Sequence, residues 1–253
     1  MKIIQFSFLS VTLALGVIGL PGRSALAQMP GSPPGGVDTT LTKLISKVTA
    51  FSAKAEVRVV DSDQNELVTT PMTFAKLGDK VRVEVDLAQI RGRNVTPADA
   101  ARMRKIGMDR VVSITRFDKK QMYIIYPGMQ SYVSMALSNE DVEAAAKPQF
   151  EAAALGTETV DGHPCVKNKV VVTDSIGQKR AVLVWNATDL KEFPIRIQTS
   201  ENGTTVVMSF SGIQFAKPDA RQFDPPAGFT KFADLQQMME ARVKKPKETG
   251  AGR

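Results

Sequence analysis

Alternation of apolar and polar positions dominates this chain. Between Lys80 and Leu87, Val81, Val83, Val85 and Leu87 share one parity, and Lys80, Arg82, Glu84 and Asp86 share the other. A period of two predicts a strand in a sheet buried on one face and wet on the other. The same pattern starts at Ala53, where Ala55, Val57 and Val59 alternate with Lys54, Glu56 and Arg58. It returns in Leu67 to Leu77, Arg110 to Phe117, Gln121 to Tyr126 and Ser131 to Leu137. Turn-forming stretches separate these runs, among them Asp61 to Asn65, Gly78-Asp79, Asp118 to Lys120 and Pro127 to Met129. Pro71 inside the second run hints at an edge or a bulge.

From Leu155 to Phe232 four longer runs follow, divided by Ser175 to Gln178, Asp189 to Glu192 and Asn202-Gly203. They read as an antiparallel meander, with Asn202-Gly203 the strongest hairpin signal in the chain. Val206, Met208 and Phe210 share a face, but Ile213 and Phe215 have the opposite parity, with Gly212 between them. A glycine at a parity switch predicts a bulge that bends the strand.

Three segments follow the helical period instead. Asp38 can cap a helix whose Leu41, Leu44, Ile45 and Val48 fall on one face. Thr96, Pro97, Asp99 and Gly107 frame a second, short helix with Ala100, Met103 and Ile106 as a narrow apolar stripe. Asp234 can cap a last one carrying Leu235, Met238 and Met239. Ser138, with Asp141 three residues on, predicts a further short helix that Pro148 stops. No alternating strand–helix pattern is present, which excludes a doubly wound parallel fold. The prediction is an α+β domain: a single curved antiparallel sheet, a half-barrel of about eleven strands, with short helices covering its concave face.

Composition sets the compartment. Lys2, the apolar run Ile3 to Leu20 and the small residues Ala25-Leu26-Ala27 predict a secretory signal peptide over 1–27, cleaved near Ala27. A Pro/Gly-rich linker is expected at 28–37, the half-barrel domain at 38–242 and a basic disordered tail at 243–253. The expected protein is periplasmic or secreted, and soluble once cleaved. The chain has one cysteine, so an internal disulfide is excluded and the domain depends on its core. The net charge of +7 falls to +5 without Lys2 and Arg23, too small an excess for a nucleic-acid partner. An anionic membrane surface is the electrostatic partner this charge allows.

Short motifs then point to a family. Gly156 to Gly162 opens a hairpin with glycine, Val160 and glycine in order; Trp185, Asp189, Pro194 and Arg196 follow; Phe223 to Phe229 closes with phenylalanine, proline and glycine. In these the chain, over roughly residues 40 to 235, resembles the periplasmic outer-membrane lipoprotein carrier (LolA/LolB-like) superfamily, and within it a member family of unassigned function. The resemblance implies an open half-barrel whose lined cavity holds acyl chains. Gln28 rather than cysteine follows the expected cleavage site, so no lipid anchor is expected there.

On that footing the ligand-cavity candidates are Met72, Phe74, Val83, Val85, Met122, Met135, Leu183, Trp185, Met208 and Phe210. Methionine suits a cavity that accepts flexible chains and equally fills irregular cores, and Trp185 can line a cavity or sit in the core. Arg102, Met103, Arg104, Lys105 and Ile106 form either a basic lid that touches a membrane or a crossover helix packed on the sheet. Chemistry is sparse. His163 and Cys165 share a face of an extended strand at about 6.5–7 Å and are the one nucleophilic pairing available. One histidine and one cysteine cannot make a structural zinc site, and no phosphate-loop or dinucleotide motif is present. No catalytic residue, metal or cofactor is assigned. The leading expectation is a non-enzymatic binder of a hydrophobic ligand, an acyl chain or lipidated partner; the alternative is a sensor or scaffold that uses the same fold to contact another protein.

Overall fold

The computed structural model describes residues 41, 44–45, 47–146, 150–173, 179–201 and 203–244. The expected leader, linker and cap at Asp38 lie outside these residues, as do Asn202, the turn at 174–178, Pro148 and the chain beyond 244.

In chain order the elements are β1 (Ala50–Val60), β2 (Glu66–Leu77), β3 (Lys80–Asp86), β4 (Arg91–Gly92), α1 (Pro97–Ile106), β5 (Arg110–Arg116), β6 (Gln121–Tyr126) and β7 (Ser131–Ala136). They continue with α2 (Asn139–Ala146), β8 (Phe150–Val160), β9 (His163–Thr173), β10 (Lys179–Ala187), β11 (Phe193–Glu201), β12 (Thr204–Gln214), β13 (Thr230–Phe232) and α3 (Leu235–Lys244). Among the described residues all the strands join one sheet of 13 strands in the order β13-β7-β6-β5-β3-β2-β1-β12-β11-β10-β9-β8, with β4 alongside β2. Every pairing is antiparallel except β13 with β7. The ends β8 and β13 do not pair, so the curved sheet stays open as a half-barrel. It holds more strands than the eleven or so expected, because β4 and β13 are two and three residues long and too short to register as a period.

Local chemistry explains the bends. Ser52 pairs with Gln214 and Lys54 with Ser211, so β12 carries an extra residue where Gly212 sits at φ +58°. That is the bulge expected there, and it returns Ile213 and Phe215 to the same apolar core as Phe210. Pro71 lies in neither an edge strand nor a bulge. It pairs with Glu56 of β1, while on its other side β2 passes from β3, at Met72, to β4, at Thr69. The proline occupies the gap between those two partners, where no ladder needs its missing N–H.

The core lies on both faces. The inner face bears Phe51, Ala53, Ala55 and Val57 of β1, and the register carries this face across the sheet. The row Val57–Met208–Ile197–Val184–Asn168 crosses five strands. Leu41, Leu44, Ile45 and Val48 cover this side, as their common helical face predicts. α1 and α3 cover it over β5–β7, through Met103, Ile106, Met238 and Met239. On the outer face Ala75, Val112, Ile114 and Ile125 are covered by the segment Phe223 to Phe229, with Phe223 wholly buried. Arg116, itself buried, clasps this strap. Its guanidinium donates to the Phe223 carbonyl and pairs with Asp224 and Asp118.

Candidate functional site

The inner face is where the sequence candidates converge. Register places Met72, Phe74, Val83, Val85, Met122, Met135, Met208 and Phe210 on it together. Register gives Leu183 and Trp185 parity different from Val184, yet Trp185 is buried in the same apolar core as Phe193 and Phe210 and Leu183 packs against it. Val184 is the inner residue of β10, opposite Ile197 and Asn168, whereas Leu183 lies opposite Lys169 and Gln198. The apolar run from Ala181 to Trp185 hides this parity, which is set by its neighbours rather than by its own composition. The Trp185 indole N–H donates to Glu158 at 2.6 Å, and the Lys167 ammonium lies 4.9 Å from the ring centre. The indole bond, with Lys167 alongside, holds the Glu158 carboxyl below its usual range.

Two apolar banks make up the inner face. One is a phenylalanine cluster. Phe193 packs edge-on to Phe51, Phe210 and Phe215 at 4.8, 5.3 and 6.1 Å, and Phe74 lies 5.7 Å from Phe51. The other bank gathers Met103, Met108, Met122, Met129, Met135, Met238 and Met239 between β5–β7, α1 and α3. Met129 joins them unexpectedly, because it stands in the turn before β7, which only the tertiary fold brings onto this bank. Thioether side chains adapt to irregular apolar shapes more readily than branched ones.

α1 is built as its sequence predicts. Thr96 and Asp99 cap each other reciprocally, and Gly107 ends the helix at φ +74°. Met103 and Ile106 pack on the methionine bank, while Arg102, Arg104 and Lys105 are exposed. Gly107 and Gly128 meet back to back here, so that a Cβ on Gly128 would stand 2.8 Å from the Gly107 carbonyl oxygen.

A pocket of about 250 Å³ opens between the 44–48 segment and β8–β11. Leu44, Val48, Phe150, Val170, Val184 and Pro194 supply its apolar wall, and Lys47, Asn168, Asn186 and Glu192 supply polar groups. Such an apolar recess with a few polar groups suits an amphipathic molecule better than a purely polar one.

The His163–Cys165 pairing does not form. His163 Nδ1 is 2.7 Å from Asp189, whereas Cys165 is buried and its thiol points to the His163 carbonyl at 3.4 Å. Burial pushes the Cys165 thiol up, away from the thiolate a nucleophile needs. Among the described residues no group of three or more His, Cys, Asp or Glu side chains is placed to hold a metal ion. No helix among them is long and apolar enough to cross a membrane.

No family profile and no curated protein matches the chain. Among solved structures, a LolA superfamily protein from Nitrosomonas europaea overlaps 75% of this chain and 98% of its own, at 12% identity and a TM-score of 0.37. The chain is similar to LolA superfamily proteins. It is also similar to the Mycobacterium tuberculosis lipoprotein LppX, at 11% identity over 68% of this chain and 91% of the other, with a TM-score of 0.36. MucB, solved in complex with MucA(peri), overlaps 74% of this chain and 58% of its own, at 14% identity and a TM-score of 0.35. The half-barrel described above rests on this chain's own strand order and register.

Proposed function

We propose that this chain is an exported protein that binds the apolar part of an amphipathic ligand, an acyl chain or a lipidated partner, on the inner face of its half-barrel. One observation carries the reading: the inner face is closed by separate short elements and a bank of seven methionines, not by a second sheet. A cover made of short, unconnected pieces can be displaced piece by piece, and thioether side chains re-pack around a flexible chain. The pocket beside Leu44 and Val48 is the mouth of that face. The exposed Arg102, Arg104 and Lys105 of α1 are proposed to meet an anionic membrane surface while a ligand is exchanged.

Native mass spectrometry of residues 28–253, purified without detergent, tests this. Co-purified lipid, or uptake of a fluorescent fatty acid after delipidation, is the expected result. A ligand-free protein that also refuses the fatty acid contradicts it.

A second reading, a scaffold that contacts another protein, is favoured by β8. This eleven-residue edge strand is exposed over nearly its whole length, and Leu155 is 55% exposed at a bulge. Free strand edges accept a partner strand. Crosslinking pull-down of the delipidated protein separates the two, because a scaffold retains one dominant protein partner and a carrier does not.

A further inference from the structure

The inner face is not uniformly apolar, and its polar positions are ordered. One row of the sheet runs Phe51–Lys76–Val81–Thr115–Met122–Met135 across six strands. The next runs Ala53–Phe74–Val83–Ser113–Ile124–Val133. In both rows a short valine of β3, Val81 or Val83, stands between the phenylalanine bank and the methionine bank, and both are buried, so β3 is the floor beneath the covering elements. Lys76 stands on one side of that floor, and Ser113 and Thr115 on the other.

All three groups are short of partners. Lys76 is 6% exposed, and its ammonium, with three protons to donate, gives one hydrogen bond among the described residues, to the Val48 carbonyl at 2.5 Å. Among the described residues no carboxylate lies within ion-pair distance of it. Burial lowers its basicity, with Asp79 opposing the effect from a distance. Ser113 and Thr115 are each 2% exposed, and neither hydroxyl has a hydrogen-bond partner among the described residues. Buried polar groups are paired in native proteins, and two orphan hydroxyls at i and i+2 of one strand call for an occupant.

We propose that displacement of the covering elements opens a trough over β3 that receives the anionic head of the ligand, held between the Lys76 ammonium and the Ser113 and Thr115 hydroxyls, with the hydrocarbon chain lying along Val83, Val85 and the methionine bank. This rests on the hydrophobic-ligand reading above and specifies the ligand's class: a long-chain monoanion, best met by a carboxylate. Neighbouring strands are about 4.8 Å apart, so Lys76 and Thr115 stand about 10 Å apart across Val81, a span that one lysine side chain and one carboxylate fill. One buried cation balances one negative charge. A phosphate monoester, with about −1.5 to −2 at neutral pH, leaves charge uncompensated in an apolar trough. Access is local, because Val48, the present acceptor for Lys76, also lines the pocket of about 250 Å³.

Calorimetric titration of delipidated 28–253 with sodium oleate, methyl oleate and oleyl phosphate tests the proposal. The three probes share a chain and differ only in the head. The expected result is oleate bound roughly tenfold or more tighter than methyl oleate, the scale of one hydrogen bond to a charged group. Lys76→Met should bring the two to equal affinity while leaving methyl oleate unchanged. It should also keep the thermal midpoint, since an apolar side chain of similar volume replaces a buried charge. The Ser113→Ala/Thr115→Val pair, which leaves Lys76 in place, should weaken oleate severalfold and still discriminate by charge. Equal affinity of the unmodified protein for oleate and methyl oleate overturns the proposal, as does a preference that survives Lys76→Met. Tighter binding of oleyl phosphate overturns the assignment of a single charge. Failure to bind any of the three overturns the hydrophobic-ligand reading itself, and this inference with it.

Discussion

Phe193 is the residue on which the inner core turns, and its removal gives the sharpest prediction about stability. Its ring is wholly buried and meets Phe51, Phe210 and Phe215 edge-on, linking β11 to β1 and β12 through one cluster. Truncation to alanine removes the transfer energy of the ring, leaves a cavity and dissolves three aromatic contacts. Phe→Ala in a packed core costs about 3–5 kcal/mol. The dense surroundings of Phe193 place it near the middle, about 4 kcal/mol. For a domain of this size each kcal/mol lowers the melting temperature by about 2–4 °C, so Phe193→Ala should fall by about 8–16 °C. Urea titration is well suited, because Trp185 is the chain's one tryptophan and reports on the neighbouring β10. The midpoint should drop with m unchanged. A loss below about 1 kcal/mol, the scale of an ordinary surface substitution or less, would refute the view that this cluster holds the half-barrel.

Three further outcomes follow from single contacts. Gly128→Ala drives a Cβ against the Gly107 backbone, which cannot retreat without shifting α1, so it should cost about 1–3 kcal/mol and speed amide exchange in α1. The carboxyl of Glu158 has its pKa depressed by the Trp185 indole, so the stability it contributes is present above the unfolded value near 4.3 and lost as pH falls through the lower folded value. Trp185 emission should change in that acid window, and Glu158→Gln should abolish the change. Lys76 has a folded pKa depressed by burial, so the unfolded chain holds its proton to higher pH and stability should rise with pH between the folded value and about 10.4. Lys76→Met should flatten that rise in pH-dependent melting.

Much of the half-barrel could be read from alternation because most strands bury one face. Val81, Val83 and Val85 announce β3 and its orientation together, and Gly212 marks its bulge by switching the parity of its neighbours. Caps were equally legible, since Thr96 and Asp99 act within one turn. What failed was whatever depends on a distant partner. β5 is buried on both faces, Val112 and Ile114 under the strap and Ser113 and Thr115 within the half-barrel. Composition alone therefore directs attention to the wrong side of it. Trp185 was assigned to the cavity because its run is apolar throughout, and only the pairing of Val184 with Ile197 orients it. Lys76 was the missed signal that the sequence did carry. It stands on the same parity as Val68, Met72 and Phe74, a lysine on the apolar face of a strand.

Photo-crosslinking tests directly whether an acyl chain lies on the inner face. Residues 28–253 are loaded with a diazirine-bearing fatty acid, irradiated, digested and mapped by mass spectrometry. Adducts are expected on the inner residues of β3 and β5–β7, with Val83, Val85, Met122 and Met135 foremost, and on Met238 of the helix above them. Adducts confined to the outer face around Lys169, or none above a control protein that binds no lipid, would contradict it.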